Sequence, residues 1–397
     1  MDLSGRARRQ HEAEIAKRLE QTSAALARLS EQIEHLTKRV DKIDRTQIAA
    51  LQQAAGILER NTRRQTGLVE RLRRATGREL EQEFVRDRVL QRLLRIAHSD
   101  EPFVVGPWTG EVGFELLYWA PFVRWVLRKF NIDPSRVTLV SRGGTAGWYG
   151  QVGRYVDILD LVTAEQFKES TQGVRKKQRW MRQFDRNLVR RVAGVQRPVV
   201  LHPSLMYALF LPYWALEASH RWIEQFTDFE LLAPPSVPGL ERLPSSYVAA
   251  RFYFSDCFPD TPENRTFAAA LLRAAAAHSD VVVLSSGVKV DDHVELPVGA
   301  ADRIHRVDDA MSPETNLAVQ TAVIARAKGF IGTYGGFAYL APFCGVNALA
   351  VYSRPTYYVN HLGLATTAFE RIGGGSLTVA DVTTLRQAGL AAVIAAG

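Results

Sequence analysis

From Pro102 onward the chain alternates short apolar runs with helical stretches, and this alternation limits the available folds more than any other feature. Strand candidates are residues 102–106, 136–141, 197–202, 247–254, 280–286, 329–334 and 347–353. Helix candidates lie at 113–130, 176–193, 215–227, 263–278 and 314–327. Apolar strands separated by helices predict parallel sheets covered on both faces. The stretch LLAPPSVPGLERLPSSY (231–247), with prolines at 234, 235, 238 and 244, reads as a joint between two α/β halves.

Open α/β sheets bind ligands beyond the C-terminal ends of their strands, so the loops there are expected to carry the chemistry. The first is GPWTGEVGFELLYW (106–119), where Gly106, Gly110 and Gly113 lead into a helix. Such glycines let backbone N–H groups approach a ligand, and a helix start favours an anion. Glu111 and Glu115, four apart at this junction, are candidates for a general base that deprotonates a hydroxyl. Helix capping is the competing role for each, and Glu111, deeper in the loop, is the preferred base.

The second loop, SRGGTAGWYG (141–150), combines glycines with Arg142, Trp148 and Tyr149, a pairing that suits a sugar or nucleobase face. On the strand 247–254, Arg251 and Tyr253 share one face, and Arg251 is placed to hold a phosphate; the alternative is an ion pair with Asp256 or Asp260. Ser285 and Ser286 follow a strand and are candidate phosphate or base contacts. Asp291, Asp292 and His293 are adjacent, which is poor spacing for a metal chelate.

The strongest signal is ARAKGFIGTYGGFAYLAPFCGVNALAVY, read as helix end, strand, Gly-Gly, short helix, glycine, strand. Thr333, Tyr334, Gly335 and Gly336 stand where backbone N–H groups at a helix opening bind a diphosphate without a metal. His293 and His361 are held in reserve as sugar contacts.

The N-terminal arm has a different texture. Stepping alternately by four and three from Ile15 visits Leu19, Thr22, Leu26, Leu29, Ile33, Leu36, Val40 and Ile43, with polar flanks and neither glycine nor proline between Gly5 and Gly56. This is a coiled-coil seam over residues 15–50, about 54 Å long if wholly helical. It predicts a homo-oligomer, dimer or trimer; a helix folded back on its own chain is the alternative. The net charge of +8 splits into +6 over residues 1–100 and +2 over the rest, so the nearly neutral body argues against nucleic-acid binding. Arg60, Arg63, Arg64, Arg71, Arg73, Arg74 and Arg78 crowd residues 60–78 and suggest peripheral contact with anionic lipid, a solvated helix face being the bland reading. Two cysteines without a CxxC pair, an opening segment without an apolar core and no long apolar run point to a cytoplasmic location, at most peripheral to the inner face of the membrane.

The GPWTGEVGFE loop and the TYGGFAYLAPF segment resemble the glycine-rich loops of glycosyltransferases of the GT-B architecture. The resemblance covers residues 101–390 in architecture and these two loops in motif. It implies two Rossmann-like α/β domains, here preceded by an N-terminal α-helical coiled coil. The divisions expected are 1–55 coiled coil, 56–100 basic connector, 101–235 acceptor-side domain and 245–397 nucleotide-sugar domain. It also implies a nucleotide-sugar co-substrate, a glycan or lipid-linked glycan acceptor, no further cofactor, and a setting in bacterial surface-polysaccharide synthesis. Many such enzymes carry a glutamate in the helix after the glycine turn and a proline two residues past its closing glycine. Here Phe337–Cys344 has no acid and Asn347 stands in place of the proline, which favours inverting chemistry with a single base. The absence of any Asp-x-Asp triplet fits a metal-independent transferase. A polysaccharide pyruvyl transferase and a non-catalytic, nucleotide-binding coiled-coil scaffold are the alternatives.

Overall fold

The computed structural model describes residues 16–32, 45–99, 101–172, 178–194, 198–285, 294–298, 302–356 and 359–387. The chain divides into two compact units, residues 1–84 and 85–397. In the first, residues 16–32 are helical, and Leu19, Thr22, Leu26 and Leu29 are the half-buried positions among exposed neighbours. These four positions belong to the heptad stripe read in the sequence; residues 33–44 lie outside those described. A 53-residue helix, Arg45–Ala97, runs through Gly56 and Gly77 without interruption. Val89, Leu93 and Ile96 near its end join the core of the second unit. No helix among the described residues is long and apolar enough to cross a membrane.

The second unit is built on two parallel sheets. In the first, β1 (Phe103–Val105), β2 (Val137–Ser141), β3 (Arg154–Asp157) and β4 (Val199–Leu201) lie in the order β3-β2-β1-β4. Phe103 pairs with Val137 on one side and Val199 on the other. In the second, β5 (Tyr247–Arg251), β7 (Asp280–Val283), β9 (Ile304–Arg306), β10 (Gly329–Thr333), β11 (Ala348–Tyr352) and β12 (Leu377–Asp381) run β12-β11-β10-β5-β7-β9. A two-stranded antiparallel ribbon pairs β6 (Tyr253–Phe254) with β8 (Val294–Glu295). The parallel sheets agree with the expectation from apolar alternation.

Both orders reverse direction once. The chain leaves β1 toward β2 and β3, then returns to β4 on the other side of β1. It leaves β5 toward β7 and β9, then returns to β10 on the other side of β5. Such reversals open a crevice past the strand ends, because the connections diverge to opposite faces. The loops after β1, β5 and β10 are therefore the ones that line a crevice.

Several elements depart from the sequence reading. The strand expected over 247–254 breaks at Phe252, and its last two residues turn into the ribbon with β8. The helix expected at 215–227 is replaced by Pro203–Trp214 and the short His220–Glu224. PSLMYALFLPYW is apolar on all sides, so it has no amphipathic period to detect; it is a buried helix with proline at its first position. The helix Ala164–Thr171 went unread although Thr163 and Gln166 close a capping box there. The helix expected over 113–130 contains a π-helical turn, Glu115–Trp119.

Candidate active site

One cavity of about 270 Å³ lies where the two reversals meet. From the first half it is lined by Thr109–Phe114, Arg142, Phe167, Lys168 and Thr171; from the second by Arg251, Tyr253, Ser255, Tyr334–Phe337, Tyr339 and His361. The two glycine motifs touch across it. A Cβ on Gly336 would stand 2.7 Å from the backbone nitrogen of Gly113. Gly335 has φ +155°, and a Cβ there would overlap the Tyr253 hydroxyl. Only glycine lets the opening of helix Gly336–Phe343 come this close to the first half.

The loop after β1 is fixed from below. Trp108 is fully buried, stacks on Trp119 at 5.9 Å, and leaves no room for a side chain on Gly110. Gln178, also fully buried, accepts from the Thr109 backbone N–H at 2.9 Å and donates to the Pro107 carbonyl at 2.9 Å. Asp185 accepts from the backbone N–H of Arg182 at 2.8 Å and lies 3.4 Å from His202. This buried polar group, from the stretch read in sequence as the start of a helix over 176–193 and observed to precede and open helix Gln183–Ala193, presents Gly110 and Glu111 to the cavity. Its signal was a polar cluster, Gln178, Arg182 and Asp185, at the start of an amphipathic helix.

The two candidate bases separate. Glu111 is exposed, lines the cavity and makes no side-chain cap bond. Glu115 is corrected: it is fully buried and does not line the cavity. Its Oε1 accepts from Ser141 at 2.6 Å, from Thr145 at 3.3 Å and from the Tyr149 hydroxyl. Burial raises its carboxyl group above the usual range, and the Arg142 guanidinium opposes that shift. Glu115 is the internal support of the loop that carries Arg142.

That loop holds a second correction. Trp148 and Tyr149 are buried and face away from the cavity. Trp148 Nε1 donates to Thr321 at 3.1 Å, tying the first half to helix Asn316–Arg326 of the second. The aromatics of this glycine loop are packing groups because glycines at 143 and 144 seat the backbone directly on Leu317 and Ala318. Arg142 alone reaches the cavity; its Nη2 donates to the Gly110 carbonyl at 2.6 Å and its guanidinium lies 5.7 Å from the Phe167 ring centre.

Arg251 lines the cavity at 5% exposure, with its guanidinium 3.9 Å from the Phe337 ring centre. Its ion pair is with Glu295 at 3.1 Å, not with Asp256 or Asp260, and it also donates to Gln320. Asp260 instead pairs with Arg265. Arg142 and Arg251 each have a carboxylate nearby, Glu115 and Glu295, yet each keeps a buried Nε–H without a hydrogen-bond partner among the described residues.

Thr333 is fully buried and does not line the cavity; its hydroxyl donates to the Tyr253 carbonyl at 2.8 Å and accepts from the Tyr253 N–H at 3.1 Å. It holds the β5–β6 break rather than a ligand. The Tyr334 and Tyr339 hydroxyls lie 2.6 Å apart. Ser285 is not brought to the site: it lines a separate hollow with Glu295 and Arg306. Ser286 and His293 lie outside the described residues. The sequence reading missed Phe114, Phe167, Lys168, Thr171, Phe337 and Tyr339 as lining groups. Among the described residues no group of three or more His, Cys, Asp or Glu is placed to hold a metal ion.

No protein-family model matches the sequence, and no curated protein does. Solved structures with partial likeness include the iron-containing dodecameric glycosyltransferase TibC from enterotoxigenic E. coli H10407, at 12% identity and TM-score 0.35. That match covers 64% of this chain, which spans only 59% of the length of TibC. The E. coli heptosyltransferase WaaC with ADP is 16% identical, with TM-score 0.37, covering 72% of this chain and 98% of that one. A putative UDP-N-acetylglucosamine 2-epimerase from Listeria monocytogenes is 12% identical, with TM-score 0.34, covering 73% and 87%. Likeness at this level assigns no activity to this chain.

Proposed function

We propose that the chain is a glycosyltransferase that moves a sugar from a nucleotide-sugar to a hydroxyl of a glycan or lipid-linked glycan acceptor. The observation that carries this reading is the meeting of two glycine motifs, two buried arginines that each keep an N–H without a hydrogen-bond partner among the described residues, and one exposed carboxylate around a single cavity. The opening of helix Gly336–Phe343, flanked by Arg251 and Arg142, suits a leaving diphosphate. Glu111, on the opposite motif, is the group that takes the acceptor proton. One base and one departing diphosphate give an inverting displacement, with arginines and backbone N–H groups meeting the developing charge in place of a metal. In this reading residues 15–50 assemble copies of the chain, and the arginines of 60–78 hold it at an anionic membrane face in the cytoplasm. Arg60 and Arg64 are exposed, and Arg63 pairs with Glu59 at 2.7 Å; the side chains of Arg71, Arg73, Arg74 and Arg78 lie outside those described.

Thermal unfolding with ADP, GDP, UDP and inorganic phosphate tests the diphosphate site. A bound diphosphate at 100 times its Kd stabilises by about 2.7 kcal/mol. One nucleoside diphosphate should raise the Tm where phosphate does not, and the shift should vanish in Gly336→Val. No shift with any nucleotide sinks the transferase reading.

A further inference from the structure

Of the seven tryptophans in the chain, Trp180 is the exposed one, at 65%. Trp108, Trp119 and Trp148 are buried, and Trp125, Trp214 and Trp222 are half-buried. Trp180 has neither a ring partner nor a hydrogen-bond partner among the described residues. A single exposed ring is ordinary on a protein surface. What sets this one apart is how firmly the chain on either side of it is held, and to what. On one side Gln178, fully buried, bonds the Thr109 N–H and the Pro107 carbonyl, each at 2.9 Å. On the other, the Arg182 N–H donates to Asp185 at 2.8 Å, and Arg182 Nη2 donates to the Thr109 hydroxyl at 3.4 Å. Between them the Met181 carbonyl accepts from Arg186 Nη1 at 2.9 Å. Residues 178 and 182 thus converge on Thr109, with Trp180 midway along the arch between them. Two residues of chain span at most about 7 Å, and Thr109 lines the cavity two residues before Glu111. The indole is therefore carried on a pinned arch beside the cavity, on the side of the candidate base. The same neighbourhood shows at Tyr207: burial pushes its hydroxyl up, Glu111 adds to that, and Arg179 opposes it.

The other exposed residues of 178–187 are Arg179, Gln183, Arg186 and Asn187. Gln183 accepts from Arg186 Nε at 3.1 Å and donates to Asn187 at 2.8 Å. A lone flat ring among hydrogen-bonding side chains suits a sugar, which has an apolar C–H face and a rim of hydroxyls. It suits neither a bilayer interior nor the apolar centre of a protein interface. We infer that Trp180 is a stacking platform for a glycan: the indole packs on the C–H face of an acceptor sugar outside the cavity and so directs the reacting hydroxyl of that acceptor toward Glu111. It gives the first half the flat face that Trp148 and Tyr149, being buried, do not. That the glycan is the acceptor rests on the transferase reading; that Trp180 binds a glycan does not.

The test is an array of bacterial surface oligosaccharides probed with the full chain as wild type, Trp180→Phe and Trp180→Ala. Each sugar bound is then titrated in solution while acrylamide quenching of tryptophan fluorescence is followed. Wild type should bind at least one oligosaccharide, and that sugar should shield the exposed indole from acrylamide. Trp180→Ala should lose about 10- to 100-fold in affinity, whereas Trp180→Phe, which keeps a flat ring, should retain most of it. The nucleotide-induced rise in Tm should persist in both variants, because the ring lies outside the diphosphate site. A wild type that binds no oligosaccharide overturns the inference, as does Trp180→Ala binding as tightly as wild type. So does Trp180→Ala that keeps its sugar and loses only sedimentation with phosphatidylglycerol vesicles, which would give the ring to a membrane. A nucleotide panel without shifts beside intact sugar binding sinks the transferase reading and leaves the platform standing.

Discussion

The two halves of the body reach one cavity by different means. The first half holds its loops with buried polar groups: Glu115 under the Arg142 loop, Gln178 under the Glu111 loop, and Asp157 accepting from the Gly144 N–H at 2.9 Å and Tyr155 at 2.8 Å. The second half relies more on close backbone approach, at Gly335 and Gly336, with Arg251 lying on the Phe337 ring. A buried polar support fixes direction, because each hydrogen bond has a geometry, but it fails badly when one partner is lost. A glycine approach tolerates no added atom, yet has few bonds to break. The first half is therefore expected to aim the reacting carboxylate, and the second to admit a flat anionic ligand.

The comparison breaks most sharply at Glu111. Glu111→Ala should lower turnover by roughly 10²- to 10⁴-fold while the nucleotide-induced rise in Tm persists. Normal turnover in that variant would remove Glu111 from the role of base. Glu115→Ala strips the acceptor from Ser141, Thr145 and Tyr149 and the counter-charge from Arg142. It should cost about 3 kcal/mol in urea unfolding, as expected for a broken buried network; a loss near zero would mean the loop is held otherwise.

A comparable effect should appear with pH. Burial raises Asp157 from 3.8 to about 6. A carboxyl raised on folding gives its full stability below its unfolded value and loses it as pH rises through the folded one. Relative to the non-titrating Asp157→Asn, the wild type should gain about 2 kcal/mol as pH falls from about 7 to about 4. Parallel pH curves for the two proteins would contradict this. Gly336→Ala pushes a methyl group toward the Gly113 nitrogen and should cost about 1–3 kcal/mol, with a weaker nucleotide shift. Smallest is Trp148→Phe, which removes the bond to Thr321 between the halves; about 1 kcal/mol is expected, with turnover little changed. A selective loss of turnover there would restore Trp148 to the ligand.

The α/β architecture was legible because parallel strands buried on both faces read as continuous apolar runs, and seven such runs were found. The strands missed, β3 and β12 among them, begin with or mix in polar residues at the sheet edges. The glycine motifs were legible for a similar reason: a backbone that must approach another backbone shows itself as glycine in any context. Glu111 and Glu115 were not separable, since four residues of sequence give both the same helix-start environment. The π-helical turn and burial beneath residues 141–149 divide them. Trp148 and Tyr149 had the composition of a sugar platform, but an aromatic ring packs on any flat neighbour, and here the neighbour is protein.

By itself the sequence determined that residues past 102 form parallel sheets, that two glycine loops stand at strand ends, that the charge lies in the arm, and that residues 15–50 carry a heptad stripe. These are local patterns, set by side-chain periodicity and by backbone sterics within a few residues. Only the tertiary structure decided that Gly113 meets Gly336, that Glu111 faces the cavity while Glu115 does not, that Arg251 pairs with Glu295, and that Trp148 is bound to Thr321 of the other half. Each of those depends on where two distant strand reversals come together, and no local spacing encodes that distance.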